Sequence, residues 1–177
     1  MSGLKAQLLS MTVDNEFGVL TRVTALIRRE GWNIRSLSVA ESADPCSSRL
    51  TVCIECLDSA LEHVRARLNK LDCVHSLTVF DPAVHARIEL AAVRLGEEDG
   101  DAVARALSHG ARPYGSDGAR IYTLAADPER IDAFLAELAA LGADGAVRSG
   151  AVLLSRRADG EPQADGPSRP NSDTGTD

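Results

Sequence analysis

Apolar positions along the chain change period several times, and each change marks a new element. Residues 5–14 alternate, with Leu9, Met11 and Val13 on one face, as a strand does when one side is buried. Between residues 19 and 30 the spacing becomes helical, with a stripe of Leu20, Val23, Leu26 and Ile27. Arg28, Arg29 and Glu30 fill the last turn, and Gly31 supplies a left-handed stop. Two strands follow, at 34–43 and 48–57, joined by a turn around Asp44-Pro45. Ser59 and Glu62 have capping-box spacing and open a helix striped by Leu61, Val64, Leu68 and Leu71. A strand at 73–80 ends at Asp81-Pro82. The order is βαββαβ, one complete split-βαβ or ferredoxin-like unit.

The same order recurs less clearly after Pro82. A strand at 86–95 precedes a short helix at 100–108 carrying Val103 and Leu107. The turn-rich stretch 110–118 has room for only a short or frayed edge strand, and 120–125 forms the next strand. Asp127 and Pro128 supply an N-cap and an N1 proline for a helix with Ile131, Phe134, Leu135, Leu138 and Leu141. Gly142 stops it, and 146–156 closes the unit as a strand. The expected fold class is α+β, two ferredoxin-like (βαββαβ) modules in tandem plus a disordered C-terminal tail. The boundaries are 1–81, 82–157 and 158–177.

Composition narrows the function. With 177 residues and 44% hydrophobic side chains the chain can fill a core. Only 3% are aromatic, and Trp32 is the single tryptophan, which suits neither base nor sugar stacking. The net charge is -7, of which the tail carries -4 through Asp159, Glu161, Asp165, Asp173 and Asp177 against Arg169. The rest, at -3, is near neutral and has no basic stripe, so nucleic acid is not an expected partner. The tail, with Pro162, Pro167 and Pro170 and no large apolar side chain, cannot offset its ordering entropy. No apolar run is long enough to span a bilayer and no signal peptide opens the chain, so no membrane contact and a cytoplasmic location are expected.

Chemistry is scarce. The chain has no nucleophile elbow, phosphate loop, zinc-helix signature or dinucleotide fingerprint. Cys53 and Cys56 have metal-pair spacing, but they lie in an alternating segment, where residues three apart face opposite ways. His63, His75, His85 and His109 read as surface or half-buried side chains. The informative stretch is 14–20, which passes from the first strand into the first helix. A helix start offers free N–H groups and a positive dipole end to a carboxylate, and Gly18 lets a ligand approach the backbone. Asn33 opens the second strand and can donate to a carboxylate and accept from an ammonium. The residues alone favour a plainer reading, in which Asn15 caps the helix and Asn33 satisfies a turn.

Together these stretches resemble the regulatory small subunit of acetohydroxyacid synthase (acetolactate synthase), with its N-terminal ACT domain. The matching segments are Asn15-Glu-Phe-Gly-Val-Leu-Thr-Arg-Val23, Gly31-Trp-Asn-Ile-Arg-Ser-Leu-Ser-Val39, Asp44-Pro-Cys-Ser-Ser-Arg-Leu-Thr-Val52 and Leu68-Asn-Lys-Leu71. The ending, Arg148-Ser-Gly-Ala-Val-Leu-Leu-Ser-Arg156, is similar to that family's and not to ACT domains in general. The resemblance implies a non-catalytic subunit that activates a separate catalytic chain and confers feedback inhibition by valine or a related amino acid. It also implies a homodimer through the ACT domain. No cofactor or metal is implied for this chain; thiamine diphosphate, magnesium and FAD belong to the catalytic partner. By matching position, Asn15, Gly18, Val19 and Leu20 of one chain and Asn33 and Ile34 of its partner surround the effector. Phe17 stands where the family usually has a small residue or proline, leaving the effector's identity open. A free-standing amino-acid sensor acting on another enzyme or a transcription factor is the alternative.

Overall fold

The computed structural model describes residues 3–96, 99–115, 120–143 and 145–156. The tail expected at 158–177 lies outside them. Strands β1 (Lys5–Asp14), β2 (Asn33–Glu41), β3 (Ser47–Cys56) and β4 (Val74–Val79) form an antiparallel sheet in the order β2-β3-β1-β4. Helices α1 (Val19–Arg29) and α2 (Leu61–Leu68) are the crossovers. Leu9, Met11, Val13, Leu50, Val52 and Ile54 from one sheet face close a core with Val23, Leu26 and Ile27 of α1 and Val64 and Leu68 of α2. The second unit repeats the topology. Strands β5 (His85–Arg94), β6 (Arg112–Pro113), β7 (Ile121–Ala126) and β8 (Gly145–Arg148) lie in the order β6-β7-β5-β8, with α3 (Gly100–Ser108) and α4 (Pro128–Ala140) between them. The α+β class and the tandem ferredoxin-like modules are as the pattern predicts.

Four local expectations are corrected. The buried stripe of α1 starts at Val19, while Leu20 is turned toward solvent. Ser59 caps nothing: residues Asp58–Ala60 form a 3-10 turn, and α2 starts after it without a side-chain cap. Asp58 is held by Lys5 and by Gln7, whose Nε2 donates to it at 2.9 Å, and this pins the turn. In α3 the core side is Ala102 and Ala106, and Leu107 is exposed. The closing strand is broken into β8 and β9 (Val152–Ser155), which pair with successive parts of β5.

The break sits at Gly150, with φ +79°, and it is where the modules meet. A Cβ on Gly150 would stand 3.0 Å from Ser36 Cβ, so β2 of the first module approaches to backbone distance. Ser38 Oγ donates to Ser149 O at 3.1 Å, and Leu90 N–H donates to Ser149 Oγ at 3.1 Å. Leu8 and Cys53, on the helix-free face of the first sheet, form a small cluster with Phe80, Ala151 and Leu153. Asp127 caps α4 by accepting from Arg130 N–H at 3.0 Å.

Candidate effector-binding site

The loop between β1 and α1 is built around Asn15 and Gly18. Asn15 Nδ2 donates to Pro45 O at 2.9 Å and to Glu41 Oε2 at 3.2 Å, and Asn15 Oδ1 accepts from Ser48 Oγ at 3.0 Å. Its amide ties the loop to the β2–β3 turn and does not cap the helix. The N-cap of α1 is Gly18, at φ 82°, a left-handed conformation that disfavours any residue with a Cβ. No side chain caps this end, and no acidic residue lies in its first turn. Val19 N–H donates to Glu16 O at 3.4 Å, which leaves the N–H groups of Leu20 and Thr21 and the positive dipole end for a ligand at this terminus. Nothing lies within 4 Å of where a Gly18 Cβ would be, and the Phe17 ring next to it is fully exposed. Val19 points into the core and can offer a ligand only its backbone; Leu20 is exposed on the loop side.

Asn33 and Ile34 are elsewhere. They line a shallow depression of about 460 Å³ with Ile27, Arg28, Gly31 and Trp32, at the C-terminal end of α1. Asn33 Nδ2 donates to Glu55 Oε2 at 2.9 Å, and Ile34 packs on the core. Asn33 and Glu41 are the two ends of β2, roughly 25 Å apart at strand rise. Because Asn15 is bonded to Glu41, the two halves of the expected site lie at opposite ends of the sheet. Within one chain they do not meet.

Pairing, not distance, relates them. β2 is the end strand of its sheet, bonded to β3 on one side only among the described strands. Its midpoint is Leu37, so a two-fold antiparallel contact there sets Asn33 of one copy opposite Glu41 of the other. The partners of Asn15 that fix the loop, Glu41, Pro45 and Ser48, carry no functional signature in sequence; only the Asp44-Pro45 turn hints at them.

The thiols lie apart. Cys56 is buried in the helix-side core and Cys53 is half-buried on the opposite face, in a cavity of about 550 Å³ between the modules. Burial pushes the Cys53 thiol above its ordinary value. Across that cavity Arg87 pairs with Glu129, and Arg148 with both Glu89 and Asp132, at 2.7 Å to the latter.

A split-βαβ sheet whose first helix starts at a left-handed glycine beside an edge strand, followed by a second split-βαβ sheet, defines a protein of the ACT regulatory class. Residues 9–76 match the family model described as an AHAS small subunit-like ACT domain. Sequence relatives include the probable acetolactate synthase small subunit of Methanothermobacter thermautotrophicus, 30% identical over 84% of this chain and 92% of the relative. The acetolactate synthase small subunit of Mycobacterium leprae is 34% identical over 88% of this chain and 95% of the relative. The crystal structure of the acetolactate synthase small subunit from Thermotoga maritima superposes with a TM-score of 0.76 at 26% identity, covering 86% of this chain and 98% of that one. The chain belongs to the acetolactate synthase small-subunit family.

Proposed function

We propose that this chain is the regulatory subunit of an acetolactate synthase. It binds a branched-chain amino acid between two first modules, and activates and feedback-inhibits a separate catalytic subunit that carries thiamine diphosphate, magnesium and FAD. The observation that carries the site is the split itself: an open helix terminus at one end of β2, Asn33 at the other, and a strand edge whose two-fold pairing would unite them. In this reading the Gly18 turn and the N–H groups after it receive the effector's carboxylate. Asn33 of the partner copy orients its polar end, and Leu20 and the partner's Ile34 receive the aliphatic side chain. Val19 contributes through its backbone, and Asn15 holds the loop in place. Residues 1–81 then form the effector and dimerisation module, 82–157 the second module, and 158–177 a dispensable tail.

Calorimetric titration of the full chain with valine, leucine and isoleucine tests the site. At least one should bind, with one effector per interface pair of half-sites. Gly18→Ala should weaken that binding, because its Cβ enters the space left for the ligand. Asn33→Ala should weaken it by about 1–3 kcal/mol through a lost hydrogen bond. Equal binding by wild type and both variants would overturn the assignment. The role is tested separately, by recovery of a catalytic subunit from cell extract on the tagged chain; its absence would favour a free-standing sensor.

A further inference from the structure

We infer that the cavity between the two modules is a ligand site distinct from the Gly18 loop, and that it takes a compact organic carboxylate with an apolar body. The cavity holds about 550 Å³, a volume that suits a small molecule. Leu8, Phe80 and Ala151 give it an apolar wall beside the half-buried Cys53 thiol. Arg35, Ser36 and Arg87 line the same space.

The backbone brings these polar groups together. In β2 the register passes from Ile34 opposite Ile54 to Ser36 opposite Cys53, so Arg35 is the extra residue of a bulge. A bulge breaks the strand's alternation and re-aims a side chain. Here it sets Arg35 and the Ser36 hydroxyl at the cavity as neighbours. Arg87 reaches the cavity from β5 of the other module, its guanidinium carbon 5.2 Å from the centre of the Phe80 ring. The electrostatics agree with this convergence: burial raises the Cys53 thiol, and the charges of Arg35 and then Arg87 act against that rise.

The hydrogen-bonding groups left over select the ligand. Arg87 Nε is buried and has no partner among the described residues, an unfavourable state for a charged donor. Arg87 Nη2 pairs with Glu129, whose side chain is 72% exposed, and water readily replaces so exposed a pair. Arg35 reaches Glu55 only at 3.8 Å, and the Ser36 hydroxyl bonds to nothing among the described residues. The acceptors are already engaged: Glu89, 7% exposed, receives Arg148 Nε at 2.9 Å, and Asp132 receives Arg148 Nη1 at 2.7 Å. The ligand must therefore bring acceptors and negative charge, and a carboxylate fits the guanidinium fork. An ammonium group would add donors where donors are in surplus. The apolar wall receives a hydrocarbon body, which sets this ligand apart from a bare phosphate. The inference does not depend on the effector reading.

The probe is 4-methylpentanoate, which is leucine without its ammonium group, added to the full chain carrying Cys46→Ser. Labelling of Cys53 by N-ethylmaleimide, read by peptide mass spectrometry, reports occupancy of the cavity. The carboxylate should slow labelling with a midpoint on the order of 1 mM, as befits so small a ligand, and leucine, 4-methylpentanamide and inorganic phosphate should each need about tenfold more. Arg35→Gln and Arg87→Lys should each raise the midpoint by about tenfold or more, since one removes the charge and the other the fork. Ser36→Ala, the mildest change, should raise it by about threefold, with thermal melts showing that each variant is folded. Gly18→Ala should leave the protection as it is, which separates this cavity from the effector loop. Labelling unaffected by 4-methylpentanoate overturns the inference. So does protection that the amide gives equally, that the three cavity variants leave unchanged, or that Gly18→Ala abolishes. Equal protection by leucine or by phosphate would overturn the ligand class.

Discussion

Replacing Gly150 by alanine should destabilise the protein by about 1–2.5 kcal/mol. Two costs add at this position. The backbone is left-handed, at φ +79°, which costs a residue with a Cβ about 1–2 kcal/mol. The new Cβ would also meet Ser36 Cβ at 3.0 Å and Ser36 Oγ at 3.3 Å, so β2 must retreat from the β8–β9 corner. That retreat stretches the Ser38 Oγ to Ser149 O hydrogen bond, now 3.1 Å, worth about 1 kcal/mol net. Loss of glycine's freedom in the unfolded chain returns about 0.4–1 kcal/mol. Gly18 is the control: its φ is +82° but its Cβ would meet open space, so Gly18→Ala should cost only about 0.5–1 kcal/mol. Urea unfolding of both variants gives the comparison. Adding Ser36→Gly to Gly150→Ala should recover the steric part and leave the strain. Equal destabilisation by the two alanines, or no recovery in the double variant, would refute the claim that Gly150 is a contact point between modules.

Removing the α4 cap with Asp127→Ala should lower stability by about 1 kcal/mol, read from thermal melts, because Arg130 N–H loses its acceptor. The hydrogen bond from His63, and then that from Arg67, holds the Glu30 carboxyl below its ordinary value of 4.5. Its contribution is therefore present above pH 4.5 and is lost as the pH falls through the lower folded value, so Glu30→Gln should flatten the acid limb of stability against pH. Cys46 is the exposed thiol, while Cys56 and Cys73 are buried and burial raises Cys53. A disulfide reagent should give one fast phase on the folded chain, and Cys46→Ser should remove it.

The element order was legible because long alternating and helical runs follow one another with turn residues between. Details failed where a distant partner decides. Val19 and Leu20 both fit the stripe made by Val23, Leu26 and Ile27; the left-handed entry at Gly18 chooses Val19, and nothing local announces that geometry. Residues 146–156 alternate like one strand, but β2 of the other module presses on Gly150 and splits them. The Ser59 capping box lost to Asp58, which side chains from β1 hold in a turn. In β5, Ile88 to Val93 is apolar on both faces apart from Glu89, so the pattern could not tell a buried face from an uncovered one. Asn15, Gly18 and Asn33 stood out as residues with ligand chemistry. Their separation to opposite ends of β2 did not, since it depends on the register of β1, β3 and β2 together.

The most direct test of the regulatory assignment is reconstitution with a purified acetolactate synthase catalytic subunit. Acetolactate formation is measured with and without this chain while valine is titrated. Addition should raise the rate several-fold, valine should return it toward that of the catalytic subunit alone, and Gly18→Ala should keep the rise while losing the response to valine. A rate unchanged by addition of the chain, with no co-sedimentation of the two proteins, would contradict the account.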